Sequence, residues 1–370
     1  MDNRTPISPV AYQPSFEHEE PDERETLDEL AKTLLSISET TFKDSGHAMR
    51  SVHAKSHGLL VGRLEVIENL SEPYAQGIFA AGGTQWPVVM RLSTIPGDIL
   101  DDSVSTPRGL AVKVVGVEGS RLAGSEGDVT QDFVLVNGPV FPAPGPKKFL
   151  GNLKLLAHTT DKVPNLKKAL AAVFRGAERA LEAVGSKSGT LIALGGHPET
   201  HILGETFYSQ VPILYGKYIA KICIAPVSSE LKRLEHAPLN VNGKPNGLRD
   251  AVNAFFAEHE AHWELRVQLC TDIDAMPIED ASVQWSENQS PYIPVARITA
   301  PMQTAWSQTR SKAVDDNMAF SPWHGIEAHR PLGSVMRVRK AAYAASRKYR
   351  AVNNHVSIAE PRSAADLPAT

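Results

Sequence analysis

Cysteine is nearly absent: Cys223 and Cys270 are the only two in 370 residues. Two thiols cannot build a disulfide framework, so reduced, buried side chains are expected and the cytoplasm is the default address. Long apolar runs are missing as well. No stretch of eighteen apolar residues occurs, which leaves nothing to span a bilayer. There is no basic excess, because 38 Lys and Arg face 42 Asp and Glu for a net charge of −4. That balance provides neither a nucleic-acid footprint nor a polybasic membrane anchor. The first twenty residues lack a basic start followed by an apolar stretch, so no secretory signal is expected. No Walker-A loop, GxGxxG fingerprint or GxSxG elbow is found. Zinc motifs fare no better. His259-Glu260-Ala261-His262 has its histidines three apart where a helical zinc-protease motif needs four. His197 and His201 are four apart, but in a Gly/Pro-containing stretch with no third ligand.

What is present is globular: 42% apolar and 22% charged residues, enough to fill a core. Residues 1–23 read as a polar, solvated arm. From Arg24 to Ile37, Leu27, Leu30, Ala31, Leu34 and Leu35 recur at helical spacing. The middle of the chain switches to a two-residue period. Leu60, Leu64 and Val66 belong to one run, and Val88, Met90 and Leu92 alternate with Val89, Arg91 and Ser93 in another. Residues 111–117, 132–137, 265–269 and 293–298 continue the strand-like stretches. So many strands favour a closed antiparallel barrel over a sandwich. Helical stripes follow at Leu166 to Val184, stopped by Gly185, and at Gly247–Ala261. A last helix is expected over Ser334–Arg350, with Ser334 as its N-cap after the Pro331-Leu332-Gly333 turn. The simplest organisation is one α+β domain over 24–350, with a tail over 351–370.

The last helix carries the first chemical hint. Arg339, Tyr343, Ser346 and Arg350 are spaced 4, 3 and 4, which puts them on one face. Guanidinium charge beside a tyrosine favours its phenolate. The plainer alternative is a ring packed inward while the basic residues stay in water, and spacing alone does not choose between the two.

Four separated segments, taken together, resemble the catalase family. The first is Arg50-Ser51-Val52-His53-Ala54-Lys55-Ser56-His57-Gly58, similar to R-x-V-H-A-K-G-x-G. The second runs through Arg91-Leu92-Ser93-Thr94, Asp102-Ser103-Val104 and Pro107-Arg108-Gly109-Leu110-Ala111-Val112-Lys113. It is similar to R-F-S-T, D-T-V and P-R-G-F-A-V-K. The third is Pro139 with Phe149 ten residues on, and the fourth is the Arg339-to-Arg350 face, similar to R-x-x-x-Y-x-x-T-x-x-x-R. Their order also matches, over roughly residues 40–350.

The resemblance implies a catalase-like closed antiparallel β-barrel with flanking helices, holding heme b and its iron. Tyr343 would be the axial tyrosinate, with Arg339 holding its charge. His53 would be the distal acid/base, oriented by Ser93. Arg50, Arg91 and Arg350 would pair with the heme propionates. Phe149 would stack near the distal face, Val52 and Ser346 would complete the cofactor site, and Asp102 would line the peroxide channel. Peroxide or a hydroperoxide is then the substrate, with an unidentified electron donor and, by kinship, a homo-oligomer.

Three features depart from the family. Its distal asparagine precedes the proline by three residues, where this sequence has Val136; Asn137 comes one place later. On a strand that is the opposite face, so either a bulge returns Asn137 to the site as a catalytic donor or the donor is lost. The long C-terminal region of full-size catalases is lacking, with about twenty residues after Arg350. An insert over Gly119–Thr130 has no counterpart. These leave three expectations: a catalase-related hydroperoxidase; a lipid hydroperoxide isomerase or dehydratase like the catalase-type allene oxide synthases; or a non-catalytic heme-binding barrel.

Overall fold

Strands with apolar residues at every second position hide them most completely when the sheet closes on itself, and this chain does so. A computed structural model describes residues 8–159 and 197–369. The expected helical stripe from Leu166 to Gly185 lies outside the described residues. Among the described residues, nine strands form one antiparallel sheet. They are β1 (Ser56–Val66), β2 (Gln85–Thr94), β3 (Arg108–Val115), β4 (Thr130–Val136), β5 (Phe207–Tyr208), β6 (Ile213–Tyr215), β7 (Tyr218–Pro226), β8 (Ala261–Leu269) and β9 (Ile293–Ala300). The order β4-β3-β2-β1-β9-β8-β7 is closed by β5, which pairs with β4 through Val136 and Tyr208 and with β7 through Phe207 and Ile224. Eight strands therefore make a closed barrel, and β6 lies beside β7 along the edge that β5 also uses. Closure removes free sheet edges.

The alternation read from the sequence sets the two faces. Val88, Met90 and Leu92 of β2, Leu110, Val112 and Val114 of β3, and Phe133 and Leu135 of β4 fill the barrel core. Arg91 and Ser93, Gly109 and Ala111, and Asp132 and Val134 alternate with them and so face outward. Strand β7 gave no alternating signal because all nine of its residues are buried.

Four longer helices are described: α1 (Glu23–Ser45), α2 (Pro146–Thr159), α3 (Gly247–Glu258) and α4 (Ser334–Asn353). Leu30 and Ile37 of α1, Leu150 and Leu153 of α2, and Val338 and Ala342 of α4 share one apolar cluster outside the barrel. Helix α1 outruns its expected end and stops at Gly46, whose φ of 67° is the left-handed C-cap geometry.

Two expectations are corrected here. Ser334 is the first helical residue of α4 and caps nothing; its backbone N–H donates to Glu279 Oε2 at 2.7 Å, and that of Gly333 donates to Glu17 Oε2 at 3.0 Å. Carboxylates at a helix N-terminus serve the same purpose. The arm is also not wholly solvated. Val10 N–H donates to the Cys270 carbonyl, Tyr12 N–H to that of Lys217, and Glu17 forms ion pairs with Arg330 and Arg337. Among the described residues no helix is long and apolar enough to cross a membrane.

Candidate active site

The outward face of β2, β3 and β4 does not stay exposed. Helices α1 and α4, with the segment around residues 314–324, stand over it and enclose a cavity of about 430 Å³. That size suits a small organic ligand or cofactor. Arg50, Val52, His53, Arg91, Ser93, Tyr343, Ser346 and Arg350 all line it. Residues up to 300 positions apart thus meet in one place.

On the barrel side, His53 Nδ1 lies 3.1 Å from Ser93 Oγ. His53 adopts φ 55°, a left-handed conformation uncommon outside glycine. Its N–H is pinned to the Ile95 carbonyl at 2.6 Å. Gly109, opposite Ser93 on β3, leaves room for the ring: a Cβ there would approach His53 Nδ1 to 2.6 Å. Burial, then the charges of Arg91, Arg339 and Arg50, push the imidazole down to about 3. His53 is therefore neutral at ordinary pH.

On the α4 side, Arg339 Nη2 donates to Tyr343 Oη at 2.6 Å, the contact expected from their one-turn spacing. Between the two sides sit three guanidinium groups and one carboxylate. Arg91 Nε donates to Asp315 Oδ1 at 2.7 Å. Arg50 and Arg350 both donate to the Asp315 main-chain oxygen. Burial, followed by mutual repulsion, lowers Arg50 well below its usual value and Arg350 to about 10. Burial alone would raise Asp315, but Arg91 and Arg50 outweigh it and hold the carboxyl low. The three guanidinium groups outnumber the two carboxylates that act on them, Asp315 and Asp316, and Arg350 Nε is buried without a partner. Such a cluster attracts anions.

Three predicted residues lie elsewhere. Asn137 follows the end of β4, and its side chain turns away from the cavity. Oδ1 accepts from Arg108 N–H at 2.8 Å, while Nδ2 contacts His197 Nε2 at 2.8 Å and donates to Glu205 Oε2 at 3.2 Å. No bulge brings it back, so the catalytic placement of Asn137 is corrected to a structural one. Asp102 is buried away from the cavity, accepting from Lys55 Nζ at 2.7 Å and Leu248 N–H at 2.8 Å. Its carboxylate offsets Lys55, and it lines a separate small pocket with Thr94, Pro96 and Arg108. Phe149 does not line the cavity either; it packs edge-on to Phe141 with centroids 4.8 Å apart, in the apolar cluster that also holds Val52.

Other residues at the site escaped sequence reasoning. Asp315 belongs to none of the four segments, and nothing local marks it as the anchor of three arginines. Trp323, His324 and Ile358 also line the cavity, together with Ala123 and Gly124 of the insert. Their contribution depends wholly on tertiary contacts.

Comparison with known proteins agrees with this architecture. The family model described as Catalase matches residues 30–174. "Catalase isozyme 2" of Cucurbita pepo is 24% identical over 337 residues, covering 84% of this chain. The chain is thus similar in sequence to catalases, over residues 30–174 by the family model and along most of its length by that relative. It spans 61% of the length of that curated relative. Among solved structures, a fungal catalase superposes with a TM-score of 0.60 at 18% identity, covering 96% of this chain and 67% of its own. Catalase A from Saccharomyces cerevisiae gives 0.57 at 17% identity, covering 95% and 68%. At those identities the likeness establishes the catalase fold, a closed barrel with flanking helices.

Proposed function

We propose that this chain is a catalase-related, heme-dependent hydroperoxidase acting on hydrogen peroxide or organic hydroperoxides. One observation carries the reading: the His53–Ser93 pair and Tyr343, to which Arg339 donates, line the same cavity as Arg50, Arg91 and Arg350. That donor set fits heme b. Tyr343 Oη would be the oxygen presented to the iron, with Arg339 donating to it, and Arg50, Arg91 and Arg350 would provide cations for two propionates. Bound there, the heme would supply the iron site and the electrons for cleaving the O–O bond.

The chain's own residues handle the protons. With Nδ1–H donated to Ser93 Oγ, His53 Nε2 is the free acceptor for the first hydroperoxide proton. The same nitrogen returns that proton to the departing oxygen, which leaves as water or an alcohol. Reduction of a hydroperoxide to alcohol and water takes up two electrons and two protons, so an external donor completes it.

The outward turn of Asn137 favours this donor-dependent reduction over disproportionation, because the cavity lacks that amide for holding a second peroxide. Rearrangement or dehydration of a lipid hydroperoxide, which needs no donor, is the second reading favoured by the same observation. Absorption spectra of the wild type beside Tyr343→Phe test the ligand. A high-spin ferric spectrum is expected in the first and its loss in the second. Unchanged spectra would point to another axial group. Incubation with a fatty-acid hydroperoxide without donor separates the two reactions: rearranged product supports isomerisation, and unreacted substrate supports reduction.

A further inference from the structure

One wall of the cavity is closed by a buried ion cluster that neither the barrel core nor the proton chemistry uses. Lys113 of β3 is fully buried and pairs with Asp132 of β4 at 2.6 Å and with Glu360. Glu360 belongs to the segment after α4, yet its side chain is only 2% exposed. His324 Nδ1 lies 3.4 Å from Asp132 and 3.5 Å from Glu360. Asp132, His324 and Glu360 bring donor atoms within 4.8 Å of one another, as in a metal site. The Lys113 ammonium, however, already lies against both carboxylates, and these carboxylates hold its proton on more tightly than usual. The cluster is therefore an ion-pair clasp across two elements.

What the clasp holds is the cavity wall. Two residues before Glu360, Ile358 lines the cavity, and its carbonyl accepts from Arg347 Nη2 at 2.8 Å. Two residues after it, Arg362 Nη1 donates to the Gly127 carbonyl of the insert at 2.7 Å. Three further backbone N–H groups are bonded: Val356 to the Ala351 carbonyl at 3.1 Å, Ala359 to the Asn317 carbonyl at 3.3 Å and Arg362 to Asp366 Oδ2 at 2.9 Å. The segment thus lies between α4 and the 119–130 insert. Both Glu360 oxygens are buried, and the Lys113 ammonium is the cation closest to them. A segment whose buried carboxylate depends on one close ion pair has a single contact to break before it can open locally.

We propose that residues 356–362 form a strap over the cavity, latched by Glu360 on Lys113, that opens to let the cofactor in and closes to retain it. The insert is the strap's second anchor. The retention step rests on the heme reading above; the latch does not. Hydrogen–deuterium exchange on the full chain reads the latch directly. Glu360→Gln should speed exchange over 356–362 at least tenfold while β3 and β4 stay protected. Arg362→Ala, at an exposed site where folding is not at risk, should give a smaller rise over the same residues. Hemin transfer to excess apomyoglobin should be faster from both variants, in the same order. Unchanged exchange over 356–362 in both overturns the latch. Faster exchange with unchanged hemin release overturns the gating. Failure of the wild type to bind hemin removes the heme reading but leaves the exchange result to decide the latch.

Discussion

Replacing Gly109 with alanine should separate proton transfer from cofactor binding. A Cβ at this position would sit 2.5 Å from His53 Cε1, 2.6 Å from Nδ1 and 3.2 Å from Ser93 Oγ. Carbon contacts settle near about 3.5–4.0 Å, so something must move by roughly 1 Å. The strand cannot, because Gly109 is registered against Ser93 on one side and Val136 on the other. The His53 backbone is equally held, by the Ile95 and Pro96 carbonyls that bond residues 53 and 54. The imidazole must therefore rotate, which breaks its contact with Ser93. Overpacking costs about 1–3 kcal/mol, partly offset by about 0.5–1 kcal/mol for removing glycine from a strand. A misdirected acid/base costs about 100-fold in rate, the lower end of its usual contribution. Stopped-flow measurement of peroxide cleavage, normalised to bound heme, provides the assay. The expected result is a heme spectrum like wild type with cleavage slowed about 100-fold. Ser93→Ala removes only the hydrogen bond, about 1 kcal/mol, and should slow cleavage about fivefold. Wild-type turnover in Gly109→Ala would refute the role given to His53 orientation.

Further outcomes follow from the same contacts. Acid should destabilise the fold early: burial is the leading cause that lowers His53 and His197 to about 3 and His201 and His329 to about 4. Unfolded histidine titrates near 6.5, so the unfolded chain binds protons first as pH falls. The stability is complete above about pH 6.5 and is lost towards pH 3–4, at up to about 1.4 kcal/mol per unit for each histidine. Urea midpoints equal at pH 7.5 and 5 would contradict this. Arg337→Ala strips the shared cation from Glu17, Glu23 and Glu279, and should cost about 3 kcal/mol of stability, read as a lower urea midpoint. Asn137→Ala should cost about 1–3 kcal/mol by freeing the Arg108 N–H, with peroxide turnover per heme unchanged. A selective loss of turnover in that variant would restore Asn137 to the reaction.

Much of this molecule is readable from local order. The two-residue period of β2 assigns Met90 and Leu92 to the core and Arg91 and Ser93 to the other face, because side chains alternate along a strand that carries no bulge. Helical spacing likewise places Arg339 one turn before Tyr343, and their hydrogen bond follows. The resemblance of four ordered segments connects those local patterns to one site. Strand β7 was not readable, since burial on both faces erases alternation, and neither were the docked arm and the carboxylate caps of α4. Those depend on which distant chain arrives, not on neighbours in sequence.

By itself, then, the sequence determined the barrel's inner and outer faces, the His53, Arg91, Ser93 and Tyr343 set, and the resemblance to catalases. Local periodicity and short motifs carry that information directly. Only the tertiary structure decided that Asn137 and Asp102 face away from the cavity and that Asp315 gathers three arginines. It also decided that Glu360 returns from beyond α4 to close the wall. The physical reason is the same in each case. A polar side chain takes the partner that best offsets its burial, and that partner is set by packing between segments far apart in the chain.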